Sequence, residues 1–237
     1  MESNQVINAN CWVAYFDILG FKNRIHDFNK QFGYGHLDTF VKIDYHDILN
    51  EAKNRVEQHK ELLDKIEYTW FSDSFLFYIP VDDNGYSFSV FQSLAWQFLR
   101  GCIWKRIPLA GAMSAGEFYA NKKENVFIGP ALIDAVEYSE KQNWIGLVIT
   151  PTGFKELQKF ELNPLNVFEF REYGVPVKIK VKNDKDETVI KESIERLIVF
   201  KMNKHHKVEN RIREMHQKAD KEAKIKYENT LKSIDNK

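Results

Sequence analysis

The sequence predicts an α+β sandwich with helices on one face of a mainly antiparallel sheet. Short apolar runs rich in Val, Tyr, Phe and Ile stop at Gly or Asp, as strands do. Between them lie longer stretches whose apolar residues recur every three or four positions, as on a helix with one buried face. The resulting order is strand, helix, strand, strand, helix, strand, helix, strand, which matches that class.

The first run, Cys11 to Leu19, ends at Gly20 and reads as a buried strand stopped by a turn. From His36 to about Lys65, Leu37, Phe40, Val41, Ile48, Val56 and Leu63 fall near helical spacing among charged residues, which predicts one long amphipathic helix. Ile66 to Ile79 is aromatic and interrupted by Ser72-Asp73-Ser74, so two antiparallel strands joined by a tight turn are expected. Asp82-Asp83-Asn84-Gly85 closes the second of them. Ser87 to Lys105 reads as a helix and Ile107 to Phe118 as a strand. Gly129-Pro130 opens a helix to about Gln142, with Pro in the favoured first turn. Trp144 to Thr150 is a short strand, and Phe168 to Val181 a hairpin around Tyr173-Gly174.

From Lys201 onward the character changes, with eleven Lys or Arg against six Asp or Glu. Val208, Ile212, Met215, Ala219, Ala223, Tyr227, Leu231 and Ile234 form one apolar stripe. The chain therefore divides into a domain over residues 1–200 and a basic amphipathic C-terminal helix over 201–237. That helix packs on its own domain or a partner helix, or presents a basic surface to phosphates or acidic lipid.

Across 237 residues, Lys plus Arg and Asp plus Glu both total 34, so no global charge points to a nucleic-acid or membrane partner. Cys11 and Cys102 sit in apolar surroundings without a spacing partner and read as buried thiols of a reducing compartment. The polar N-terminus has no signal-peptide pattern, and no run approaches the roughly 18 apolar residues that span a bilayer. A cytoplasmic location is expected.

Two residues carry the chemistry. Asp17 lies within an almost wholly apolar strand, and Asp73 lies between Tyr68-Thr69-Trp70-Phe71 and Phe75-Leu76-Phe77-Tyr78. A carboxylate in such company is costly unless paired, hydrogen-bonded or metal-bound. Singly, Asp17 could cap a following helix and Asp73 could close a turn. Together, at neighbouring ends of adjacent strands, they point to a hard-cation site. With the carbonyl of Ile18 they suit Mg²⁺ or Mn²⁺ bound along with substrate phosphates. The turn Leu19-Gly20-Phe21-Lys22 would add backbone N–H groups for phosphate.

The segments VAYFDILGF, WFSDSFLFYI, PLAGAMSAGEFY and FIGPALIDAVEYSEKQNWIGLVITPTG, in this order over about residues 11–155, resemble the successive motifs of class III nucleotidyl cyclase domains. FDILGF with FSDS and IGPAL is most similar to the pyrimidine nucleotide cyclases of the Pycsar antiphage systems, the PycC group. The resemblance implies a class III cyclase-like sandwich with a ferredoxin-like core. It places two divalent cations on Asp17, Asp73 and the Ile18 carbonyl. It also implies a homodimer with sites at the interface, and a product that activates a separate effector.

This chain departs from the purine-cyclase pattern at both base-reading positions. Where purine enzymes carry a lysine four residues before the second aspartate, this chain has Thr69; where they carry a base-reading aspartate, it has Val126. Neither residue reproduces a charged pair. UTP, or CTP, is therefore expected over ATP or GTP. The asparagine and the transition-state arginine of the family fall at Ile133 and Glu137, and a carboxylate cannot stabilise developing phosphate charge. Lys22, Arg24 and Lys141 are the candidate replacements, although Lys141 could equally pair with Glu137 along a helix. A purine cyclase with an unusual pocket and an inactive nucleotide-binding or dimerisation module are the alternatives. Gly111, Gly116 and Glu117 match no phosphate-loop pattern, and His205-His206 lacks a third ligand.

Overall fold

The computed structural model describes residues 6–163, 165, 169–183, 186–202 and 206–235. Strand β1 (Val6–Ile18) leads through Gly20 into helix α1 (Phe21–Phe32). Three short helices come next, α2 (Leu37–Val41), α3 (Asp47–Asn54) and α4 (Lys60–Leu63). After them come β2 (Glu67–Phe71), β3 (Ser74–Pro80), helix α5 (Tyr86–Trp104), β4 (Leu109–Asn121), β5 (Val126–Ile128) and helix α6 (Pro130–Lys141). The chain continues with β6 (Gly146–Ile149), α7 (Pro151–Gln158), β7 (Phe170–Lys182), β8 (Thr188–Phe200), α8 (His206–Lys218) and α9 (Lys221–Asp235). The strands lie in the order β2-β3-β1-β4-β6-β8-β7, with β5 on β4. Only the β4–β6 pair is parallel, so the α+β class with a mainly antiparallel sheet holds.

Helices cover both faces of the sheet, not one. The even residues of β1, Trp12, Ala14 and Phe16, face a core built with α3, α5, α8 and α9. The odd residues Cys11 and Val13 face a second cluster with Leu76, Tyr78, Phe118 and, from α6, Ala131 and Ala135. A strand buried on both sides reads as a continuous apolar run rather than an alternating one, and that is how Cys11 to Phe16 reads. Gly111, opposite Phe16 on β4, leaves room for its ring: a Cβ there would meet Phe16 Cδ1 at 2.4 Å. Cys11 and Cys102 are buried, as expected, and burial pushes the Cys11 thiol up to about 12.

Three further elements differ from the sequence reading. The long helix expected over residues 36–65 is broken by a π-helical turn at Lys42–His46 and a 3₁₀ turn at Glu57–His59. A π turn adds a residue to the helical repeat and rotates the residues beyond it about the helix axis. Here Tyr45 packs against Trp70 and Phe75 and donates its hydroxyl proton to the Ser72 carbonyl at 2.8 Å. The hairpin expected at Tyr173-Gly174 lies instead at the far end of β7. Gly174 pairs with Arg196 in mid-ladder, and the reversal is closed by Asn183, whose side-chain oxygen accepts from the Glu187 amide at 2.9 Å. Phe168 lies outside the described residues. The C-terminal stripe is carried by two helices, because Asp220 caps the second by accepting from the Ala223 amide at 2.8 Å. His205 lies outside the described residues. No helix among the described residues is long and apolar enough to cross a membrane.

Candidate active site

Backbone pairing brings Asp17 and Asp73 together. Asp17 sits opposite Ser74 on β3 and opposite Ala110 on β4, in the last positions of β1. Ser72 and Asp73 form the two-residue turn between Phe71 and Ser74, with Ser72 at a φ of 55°. Two bonds from elsewhere hold that turn. The Ile18 amide donates to the Asp73 carbonyl at 2.9 Å, and Tyr45 holds the Ser72 carbonyl. The end of β1 and the β2–β3 turn are thus locked edge to edge, as the sequence predicted.

Asp17 is half-buried, and its carboxyl is pushed up to about 6. Burial is the largest cause, followed by the like charge of Asp73; Lys226 opposes both, and Glu140 adds to them. A half-buried carboxylate beside a second one forms a donor set that a divalent cation would satisfy. Among the described residues no group of three or more His, Cys, Asp or Glu gathers. A cation here would therefore rest on two carboxylates, a backbone oxygen such as that of Ile18, and oxygens from outside the chain, which suits Mg²⁺ or Mn²⁺.

Residues next to the carboxylate pair line two cavities. Toward the body of β1 is a pocket of about 290 Å³ lined by Tyr15, Thr69, Ser74, Phe127, Leu132 and Asn125, among others. Tyr15 and Ser74 share a hydrogen bond of 2.6 Å on its wall. Thr69 therefore lies on the wall of this pocket. Val126 does not line this pocket; it pairs with Asn121 on β4. The polar group facing the pocket beside Thr69 is the preceding residue, Asn125, at a φ of 55°. Asn125 was missed in the sequence, where it reads as an ordinary turn asparagine.

Toward the other end, Leu19 and Gly20 line a cavity of about 500 Å³ between α1 and the α8–α9 hairpin. Gly20 holds a φ of 72°, a left-handed conformation that glycine adopts without strain, and this aims the chain into α1. The N-terminus of α1 has no side-chain cap and no acidic residue in its first turn. The amide of Leu19 is already committed to the Pro108 carbonyl at 2.9 Å, which leaves Gly20, Phe21 and Lys22 as the turn residues to meet an anion.

Helix α6 supplies no cation to this region. Ile133 and Glu137 are exposed on its outer side. Lys141 does not pair with Glu137; its ammonium bonds Glu195 at 2.7 Å and sits over the Tyr138 ring. Of the other candidates, Arg24 lies over the Phe40 ring and lines the larger cavity, while Lys22 is exposed. Lys226 of α9, which opposes the rise at Asp17, comes from the segment the sequence offered as a packed helix or a basic surface for phosphates.

No family model matches the chain, and no curated protein does. Solved structures of nucleotide cyclases do. The dimeric guanylyl cyclase domain of a RhoGC fusion protein from the aquatic fungus Blastocladiella emersonii is similar with a TM-score of 0.47 at 10% identity, over 83% of this chain and 97% of that one. An adenylyl cyclase from P. aeruginosa is similar with a TM-score of 0.44 at 12% identity, over 81% of this chain and 96% of that one. An adenylate/guanylate cyclase/hydrolase from Silicibacter pomeroyi reaches 0.45 at 11% identity, over 83% and 98%. Likeness at that level leaves the chemistry of this site to its own geometry.

Proposed function

We propose that this chain is a nucleotide cyclase that closes a nucleoside triphosphate to its 3′,5′-cyclic monophosphate, and that its base is a pyrimidine, UTP ahead of CTP. The observation that carries this is the locking of Asp17 against the Asp73 turn, between one pocket sized for a base and another bounded by the start of α1. Two Mn²⁺ or Mg²⁺ ions held by Asp17, Asp73 and the Ile18 carbonyl would acidify the ribose 3′-hydroxyl and neutralise the triphosphate. The chain itself contributes position and electrostatics. The turn residues Gly20, Phe21 and Lys22, whose amides open α1, face the phosphates. Thr69 and Asn125 offer a hydroxyl and an amide to a base edge, each able to donate and accept, and neither carries the charge of a purine-reading pair. Exposed Ile128 and Ile133, 60% and 59% accessible, lie on the α6 side and suit a homodimer built over that face. By the same reading the cyclic product serves antiphage signalling through a separate effector.

Glu137 favours a second reading, a binding module that has lost turnover. One experiment separates the readings: the purified chain is incubated with ATP, GTP, CTP and UTP in the presence of Mn²⁺, and the products are resolved by mass. A cyclic pyrimidine nucleotide, lost in Asp73→Asn, is expected. Cyclic AMP or cyclic GMP as the main product would overturn the pyrimidine assignment, and nucleotide binding without turnover would favour the inactive module.

A further inference from the structure

The α8–α9 hairpin is built into the sheet, although its sequence reads as an appendage. The Ile145 amide donates to Thr230 Oγ1 at 2.8 Å, and the Asn229 side-chain amide donates to the Asn143 carbonyl at 2.8 Å. Thr230 and Ser233 are buried, and Ile212, Met215, Tyr227 and Ile234 belong to the same core as Trp12 and Phe16. A helix fixed by buried polar bonds to a strand backbone presents its other residues at defined positions.

Those positions can be followed along one row of the sheet. Ser74, Asp17, Ala110 and Gly146 are consecutive partners across β3, β1, β4 and β6. Thr230 is anchored at Ile145, immediately before Gly146. Asp17 is two strands away, about 10 Å at ordinary strand spacing. Lys226 is one helical turn before Thr230 and lies on the same side of α9, about 6 Å along its axis. From there its long side chain lines the larger cavity together with Ala223 and Tyr227, across from Leu19 and Gly20. On the α6 side Lys141 is tied to Glu195.

We propose that Lys226, delivered by the C-terminal hairpin, is a catalytic residue that contacts the triphosphate and supplies the positive charge α6 lacks. This rests on the cyclase reading above. In the step it serves, a bond forms between the ribose 3′-oxygen and the α-phosphorus. The bond from that phosphorus to the bridging oxygen breaks, its electron pair leaves with pyrophosphate, and the 3′-proton passes to water. Lys226 keeps its proton throughout and donates hydrogen bonds to the phosphate oxygens on which charge accumulates. The C-terminal segment is then part of the catalytic unit.

The test compares the full-length chain with Lys226→Met, which keeps an unbranched apolar stem, with Lys226→Arg, which keeps the charge, and with Lys232→Ala, an exposed control on the same helix. Turnover of the preferred triphosphate with Mn²⁺, calorimetric binding of inorganic pyrophosphate and the melting temperature are measured for each. Lys226→Met is expected to lower kcat about 10²-fold and to weaken pyrophosphate binding roughly tenfold. Lys226→Arg should recover most of both, Lys232→Ala should match the parent, and all melting temperatures should agree. A parent that cyclises while Lys226→Met retains its kcat and pyrophosphate affinity would overturn the inference and leave the cyclase reading standing. A parent that makes no cyclic nucleotide yet binds pyrophosphate through Lys226 would sink the cyclase reading and keep Lys226 as a phosphate ligand. Pyrophosphate binding equal in parent and Lys226→Met, or absent from both, overturns the inference. If Lys226→Met melts early, the pyrophosphate affinity of Lys226→Arg decides: recovery supports a charge contact, and loss refutes it.

Discussion

The carboxylate end of the site and the cation end stand in contrast. Asp17 and Asp73 are placed by main-chain pairing between strands close in the fold, and both are charges set in apolar sequence. Lys226 is placed by a helix some two hundred residues downstream and is one of several lysines in a polar segment. Burial makes the first kind of residue conspicuous, because an uncompensated carboxylate in a strand is too costly to be incidental. Nothing comparable marks a lysine in a segment that also carries Lys221, Lys224 and Lys232. Functional charge is legible from sequence where it breaks a local rule, and hidden where it follows one.

The strongest way to break the contrast is at the carboxylates. Asp73→Asn keeps the shape and hydrogen-bonding capacity of the turn and removes its charge, so kcat should fall by about 10³-fold or more with little change in melting temperature. If turnover survives, the conspicuous residues are structural and the argument from burial fails. A large loss in Asp17→Asn and Asp73→Asn, with no further loss in the double variant, would show that the pair acts as one unit.

Thr230→Val tests the other end. It leaves the Ile145 amide without its acceptor while preserving side-chain volume, at a cost of about 1–3 kcal/mol. Each kcal/mol lowers the melting temperature of a chain this size by roughly 2–4 °C. Activity should fall as well, because α9 then no longer holds Lys226 in register. Loss of stability with full activity would separate the hairpin from the chemistry.

Acidity distinguishes the ends without a mutation at the cation. Asp17 has its folded pKa raised from 3.8 to about 6. Between those values the native chain holds a proton that the unfolded chain has shed, so metal-free stability falls as pH rises from about 4 to 6. After allowance for solvent screening, about 1–2 kcal/mol is at stake. Thermal melts without divalent ions should show that decline, and Asp17→Asn should flatten it. Stabilisation by added Mn²⁺ should grow over the same interval, as the proton ceases to compete with the cation.

How the fold was legible follows the same division. The runs at β1, β2–β3, α5, β4 and α6 were readable because each buries apolar residues in an unbroken or periodic run. The break at Lys42–His46 was not, because it serves Tyr45, whose partners Trp70, Phe75 and Ser72 lie on a distant hairpin. Gly174 was mistaken for a turn because glycine marks both turns and close packing, and only the partner strand decides. Asp220 was overlooked because a continuous stripe masked a helix cap. Asn125 and Lys226 stayed hidden because both are polar residues in polar surroundings, and tertiary folding alone brings them to the site.

The smallest expected effect lies in the pocket proposed for the base. Thr69 and Asn125 offer neutral groups, and exchanging one neutral hydrogen bond typically changes binding by about 0.5–1.5 kcal/mol. Asn125→Ala should therefore raise KM for the preferred triphosphate several-fold and leave kcat nearly unchanged, since it removes a contact made equally before and during reaction. Thr69→Lys places a charge within the pocket of about 290 Å³ and should lower the ratio of pyrimidine to purine turnover. Competition assays with paired triphosphates measure that ratio directly. An Asn125→Ala variant that loses kcat instead would place Asn125 among the groups acting on the phosphates, and the division of the site into a base end and a phosphate end would have to be redrawn.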